Sequence, residues 1–130
     1  MKQNRQTILK QLSPVTTNLL HEKGYVSFVD IFMSLGILSK EDYENWRFMK
    51  VPYLEKVIKV NLAKINFIMR TIQKNSKNGG LRSSKTVYKS WGKKGPKKLL
   101  RFSKSADPNI EEAYSTHFLK PKEKPQNKLY

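Results

Sequence analysis

Not one cysteine occurs in the 130 residues. That excludes disulfide frameworks, thiolate zinc sites and cysteine nucleophiles, and it fits a reducing compartment. Histidine is almost as scarce, with only His21 and His117. No apolar run approaches the roughly 18 residues of a membrane span, and the start Met1-Lys2-Gln3-Asn4-Arg5 leads into no apolar core of signal-peptide length. The chain is therefore read as a cytoplasmic protein without a membrane partner. There is no glycine-rich phosphate loop, no pair of histidines four apart and no zinc-ligand spacing. These absences give the expectation of no metal, no cofactor and no catalytic residue.

Acidic residues are missing from one long stretch. Residues 50 to 104 hold sixteen Lys or Arg against the single acid Glu55, so this window carries fifteen of the chain's sixteen net positive charges. The segments on either side are near neutral. A concentrated field of that sign repels itself in the compact state and is well suited to meeting a polyanion, of which nucleic acid is the leading example.

Apolar content of 38% is enough for one core in a chain of this length. Residues 1–14 read as a polar leader with one helical turn around Ile8, Leu9 and Leu12, ended by Pro14. A short helix is expected from Val15 to Lys23, stopped by Gly24. Ser27 is placed as an N-cap, with Phe28, Ile31, Phe32 and Leu35 at helical spacing behind it and Gly36 at the exit. Ser39 opens a third helix, with Asp42 three residues on and an aromatic side of Tyr43, Trp46 and Phe48. Short helices in this arrangement occur in helix-turn-helix domains and in unrelated bundles alike.

Pro52 suits the first turn of a long helix running to about Lys77 and ended by Asn78-Gly79-Gly80. On it Leu54, Val57, Ile58, Leu62, Ile65, Ile68, Met69 and Ile72 form a core face, and Lys56, Lys59, Asn66, Arg70, Lys74 and Lys77 an opposing basic stripe. Val60 and Phe67 border that stripe, expected chiefly as a second core layer under the C-terminal hairpin.

Beyond the glycines the period changes. Residues 85–91 and 98–103 are rich in β-branched and aromatic residues with partial alternation, separated by a turn at 92–97. They predict a β-hairpin whose tip carries Lys93, Lys94, Lys97 and Lys98, comparable to the wing of a winged-helix domain. Alternation sets Val87 and Trp91 on one side and Tyr88 on the other, with Trp91 assigned to the core. Asp107-Pro108 signals a last helix with Ile110, Ala113, Tyr114, His117 and Phe118 as its apolar face. The fold class expected is α+β: a mainly helical single domain over 15–119, winged-helix-like in outline, followed by a flexible basic tail at 120–130.

The functional expectation is a non-catalytic protein that binds DNA or RNA, duplex DNA being slightly favoured, because a helix stripe and a wing suit a groove. The residues expected to do so are Lys56, Lys59, Asn66, Arg70, Lys74 and Lys77 with Arg82, Lys85, Tyr88, Lys89, Lys93, Lys94, Lys97, Lys98 and Arg101. Lysine dominates over arginine, so contact with the backbone should outweigh base readout. Two alternatives stand beside it: a module or inhibitor whose basic face docks an acidic protein, and a small metal-dependent nuclease built on His117 with Glu111 and Glu112 or with His21.

Overall fold

The computed structural model describes residues 4–92 and 95–121. The first element, α1 (Arg5–Lys23), starts where the Asn4 side chain accepts from the amide of Thr7 and ends at Gly24, whose φ of 81° closes the helix in the left-handed conformation. It runs through Pro14. The expected leader is therefore helical from Arg5, and the separate helix from Val15 does not exist. Ile8, Leu12 and Leu19 lie on one stripe and are buried. Burial of that stripe offsets the hydrogen bond and the steric fit that an interior proline removes.

Gly24 leads into β1 (Tyr25–Val26) and α2 (Phe28–Ser34). Ser27 caps α2 as expected, and the cap is reciprocal. Its Oγ accepts from the Asp30 amide at 3.1 Å and donates to Asp30 Oδ2 at 2.8 Å. The next helix, α3 (Lys40–Arg47), is capped by Ser39 accepting from the Asp42 amide at 3.0 Å. Trp46 on α3 is completely buried, whereas Phe48 is exposed.

The expected long helix is broken in two. A 3-10 turn at Leu54–Val57 is followed by extended backbone at Ile58, and α4 begins only at Leu62, running to Asn78. Val57, Ile58 and Val60 are β-branched and lose rotamer freedom in a helix. Asn61 supplies a cap whose side chain accepts from the Lys64 amide at 2.9 Å, and the Lys59 amide donates to Ile37 O at 2.8 Å instead of continuing a helical ladder. Ile65, Ile68, Met69 and Ile72 form the buried face of α4, which packs on α1, whereas Leu62, expected on that face, opens the helix and is exposed.

After α4 come β2 (Arg82–Ser84), α5 (Pro108–Ser115) and β3 (His117–Leu119). The three strands make an antiparallel sheet in the order β1-β3-β2, with Val26 opposite Phe118 and Ser83 opposite Phe118 on the other side. Asp107 caps α5 with Pro108 in the first turn, as the sequence implied. The helix stops at Ser115, so His117 and Phe118 stand on a strand and not on a helical face, and Ile110 is exposed. Hydroxyls of Ser115 and Thr116 both donate to Glu112 O, competing with the helical ladder at that end.

The predicted hairpin is present in reduced form. Lys89 and Leu99 form one antiparallel bridge, flanked by Ser90 N to Lys98 O at 2.8 Å and Leu100 N to Tyr88 O at 2.9 Å. These arms are not members of the three-stranded sheet. Lys93 and Lys94 at the tip, and the tail from residue 122, lie outside the described residues. Overall the chain is an α+β, mainly helical domain whose aromatic centre joins Trp46, Phe102 and Tyr114, with ring centroids 5.1 and 5.2 Å apart in sequence. Among the described residues no helix is long and apolar enough to cross a membrane.

Candidate nucleic-acid interface

The surviving part of the basic stripe lies on α4. Asn66, Arg70, Lys74 and Lys77 are all exposed and, at 100° per residue, share one side of the helix. No acidic residue occurs anywhere in α4. Among the described residues the ion pairs are Lys23 with Asp30 and Lys85 with Glu112, so none of the three stripe cations Arg70, Lys74 and Lys77 is neutralised by a carboxylate of the fold.

The stripe borders a groove of about 270 Å3 lined by Arg5, Phe67, Arg70, Thr71 and Lys74. The guanidinium of Arg5 sits 4.9 Å from the centroid of Phe67. Phe67 is half-buried and packs toward α1 instead of lying under the hairpin. Sequence reasoning missed Arg5 because it stood in the supposed leader. The burial of Ile8 and Leu12 is what carries the start of α1 to α4.

The remaining predicted residues are dispersed among other tasks. Lys56 lies on the 3-10 turn and Lys59 on the extended link before α4, both exposed but off the α4 stripe. Arg82 on β2 donates to Lys120 O at 3.3 Å, and Lys85 pairs with Glu112 at 3.3 Å. Arg101 donates to the carbonyls of Ser103 and Lys104 and covers the Tyr53 ring at 5.3 Å. Lys89, Lys97 and Lys98 are exposed along the hairpin arms, and Lys97 Nζ donates to Gly92 O at 3.2 Å.

The two aromatics of the first arm exchange the places assigned to them. Tyr88 is 8% exposed and packs against Trp46 and Phe102, so it is a core residue and no contact for a ligand on the surface. Trp91 is 39% exposed. The alternation holds, with Val87 and Trp91 on a common side, but that side faces outward instead of into the core.

Arg47, at the end of α3, escaped notice because it precedes the charge-dense window. Its Nε donates to the Tyr43 hydroxyl and its Nη1 to Lys89 O, both at 2.9 Å, and the guanidinium lies 4.7 Å from the Tyr88 ring centroid and 5.0 Å from that of Trp91. An arginine four residues after a tyrosine on one helix was the available signal. Arg47 thereby ties the first hairpin arm to α3.

Below Arg47 is a polar cavity of about 170 Å3 whose walls include Lys23, Asp30, Tyr43 and His117. The Tyr25 and His117 rings stack at 4.9 Å, and His117 Nε2 lies 3.0 Å from the Tyr88 hydroxyl. Burial holds the His117 pKa below its ordinary value; Asp30 opposes that shift and Lys23 adds to it. Burial also lowers Lys23, but the hydrogen bond and charge of Asp30 outweigh it and leave the ammonium above its usual range. Desolvation raises the Tyr88 phenol well above its normal value.

The acids that a nuclease would need beside His117 are engaged elsewhere. Glu111 accepts from the amides of Phe102 and Ser103, each at 2.8 Å, and from the Ser103 hydroxyl, while Glu112 faces Lys85. His21 is exposed near the end of α1. Among the described residues no group of three or more His, Cys, Asp or Glu is arranged to hold a metal ion.

Compared with known proteins, the chain matches no family model, no curated protein and no solved structure.

Proposed function

We propose that this chain binds nucleic acid non-catalytically, by contact with the phosphate backbone, using the exposed side of α4 together with the start of α1. One observation carries the reading. Asn66, Arg70, Lys74 and Lys77 line one side of a helix that contains no acid, beside a groove that adds Arg5, with no carboxylate of the described fold paired to any of them. Leaving several like charges together without counter-charges is unfavourable for the isolated protein and becomes favourable when phosphates replace the condensed ions around a nucleic acid. Lys74 and Lys77 act as point charges, and a lysine-rich surface favours backbone contact over base identity.

Fluorescence anisotropy with labelled oligonucleotides across a salt series tests the reading. With four phosphates contacted in a duplex, affinity falls roughly 100-fold between 50 and 200 mM salt. The pair Arg70→Glu and Lys74→Glu weakens binding further and lowers the salt slope, while thermal unfolding is unchanged because both side chains are exposed. Weak binding that is flat with salt refutes it.

A further inference from the structure

We infer that the exposed rings of Trp91 and Phe48 form a stacking surface for unpaired bases, which makes single-stranded nucleic acid the ligand class of this protein. The inference rests on the nucleic-acid reading above and adds the strand type and a second contact region.

The two tryptophans are treated oppositely by the fold. Trp46 is completely buried, whereas Trp91 is 39% exposed and Phe48, whose ring centroid lies 5.6 Å from the indole at an angle of 77°, is 49% exposed. Met49, also exposed, follows Phe48 with a positive φ of 62°. Large apolar rings grouped at a surface are unfavourable in water unless a partner covers them.

The group is held in place. The Trp91 amide donates to Arg47 O at 2.7 Å, the Arg47 guanidinium lies over the indole, and Tyr43 meets the indole edge-on at 5.7 Å. A ring fixed by such contacts loses little side-chain freedom when a base stacks on it.

On the hairpin side the surroundings are cationic, while on the α3 side Glu44 lies one turn before Phe48. Lys97 Nζ is held at Gly92 O, the residue after Trp91, and Lys89 and Lys98 are exposed on the bridged arms that carry the ring. Between Glu55 and Asp107 the sequence contains no further acid. An acidic protein could neutralise these lysines, but exposed rings interleaved with them are the combination that a strand of unpaired bases satisfies at once, phosphates on the cations and base faces on the rings. In a duplex those faces are covered by neighbouring pairs.

The test uses the full chain, an oligothymidylate of about 15 nucleotides and a duplex of equal length. Because Trp46 is buried, quenching of tryptophan fluorescence reports on Trp91. Expected results are quenching by oligothymidylate that disappears in Trp91→Phe, and a loss of about 5- to 150-fold in single-strand affinity for Trp91→Ala. Phe48→Ala, at the outer edge of the group, gives a loss in the same direction should Trp91→Ala prove unstable, and duplex affinity stays within twofold in both variants. Oligothymidylate binding with unchanged fluorescence, or equal losses for duplex and single strand, overturns the stacking surface and leaves backbone binding standing. Failure of both oligonucleotides to bind at 50 mM salt overturns both proposals.

Discussion

The Tyr114 hydroxyl donates to Glu55 Oε2 at 2.6 Å, joining α5 to the 3-10 turn across 59 residues of sequence. Glu55 Oε1 accepts from the Lys104 amide at 3.0 Å. The only acid in the basic window is thus spent on internal connections and pairs with no surface cation among the described residues. The same carboxylate raises the Tyr114 phenol beyond what desolvation alone does. Tyr114→Phe keeps the stacked contact with Phe102 and deletes only the donor. A hydrogen bond to a charged group contributes about 1.5–3 kcal/mol, so the variant should lose that much in urea unfolding with an unchanged slope. No loss would mean that water replaces the phenol at no cost.

His117 gives the fold a pH dependence whose sign follows from its environment. Because burial depresses its pKa in the folded state, the unfolded chain binds the proton more readily. The resulting stabilisation is fully present above about pH 6.5, the ordinary histidine value, and is lost as pH falls from there toward the folded value. Asp30, Lys23 and the Tyr88 hydroxyl are the polar groups that face the ring. Urea midpoints at pH 7.5 and 5.5 should differ more in the wild type than in His117→Gln. Equal differences would show that the imidazole does not contribute.

Arg47 holds the hairpin arm through geometry that lysine cannot copy. A guanidinium reaches the Tyr43 hydroxyl and Lys89 O at once while lying over the Tyr88 and Trp91 rings; an ammonium is a single point charge. Loss of one or two kcal/mol in local stability corresponds to about a 5- to 30-fold change in the opening equilibrium. Arg47→Lys should therefore speed hydrogen exchange of the Ser90 and Leu100 amides by that factor. Amides of α4 serve as the internal control, since they pack on α1. Uniform acceleration would instead indicate global destabilisation.

What could be read in advance depended on whether the signal was local. Ser27, Ser39 and Asp107 cap their helices as their side-chain chemistry required, and Gly24 ends α1 where it should. The break at Ile58 was hidden because the apolar spacing continues across it; only the β-branched run and Asn61 hinted at an interruption. For the hairpin arm, period two separates Tyr88 from Trp91 but carries no information about which side meets the core. That choice is made by Trp46 and Phe102, distant in sequence, against which Tyr88 packs. His117 was drawn into a helix for a similar reason, its strand existing only because β1 and β2 stand ready to pair with it. The α4 half of the proposed site was legible from its stripe, whereas Arg5 and Arg47 needed the tertiary arrangement.

Pro14 offers a final check on α1 as one continuous helix. It interrupts the ladder at the position that would bond Lys10 O, and its side chain is exposed, so little packing depends on it. An interior proline costs a helix about 3 kcal/mol relative to alanine, while proline restricts the unfolded chain and recovers up to about 1 kcal/mol. Pro14→Ala should then raise stability by about 2 kcal/mol in urea unfolding, because the missing N–H is restored on a helix already committed at Ile8, Leu12 and Leu19. Were α1 in truth two helices meeting at residue 14, the proline would sit at a junction that favours it. In that case the substitution would leave stability unchanged or lower it.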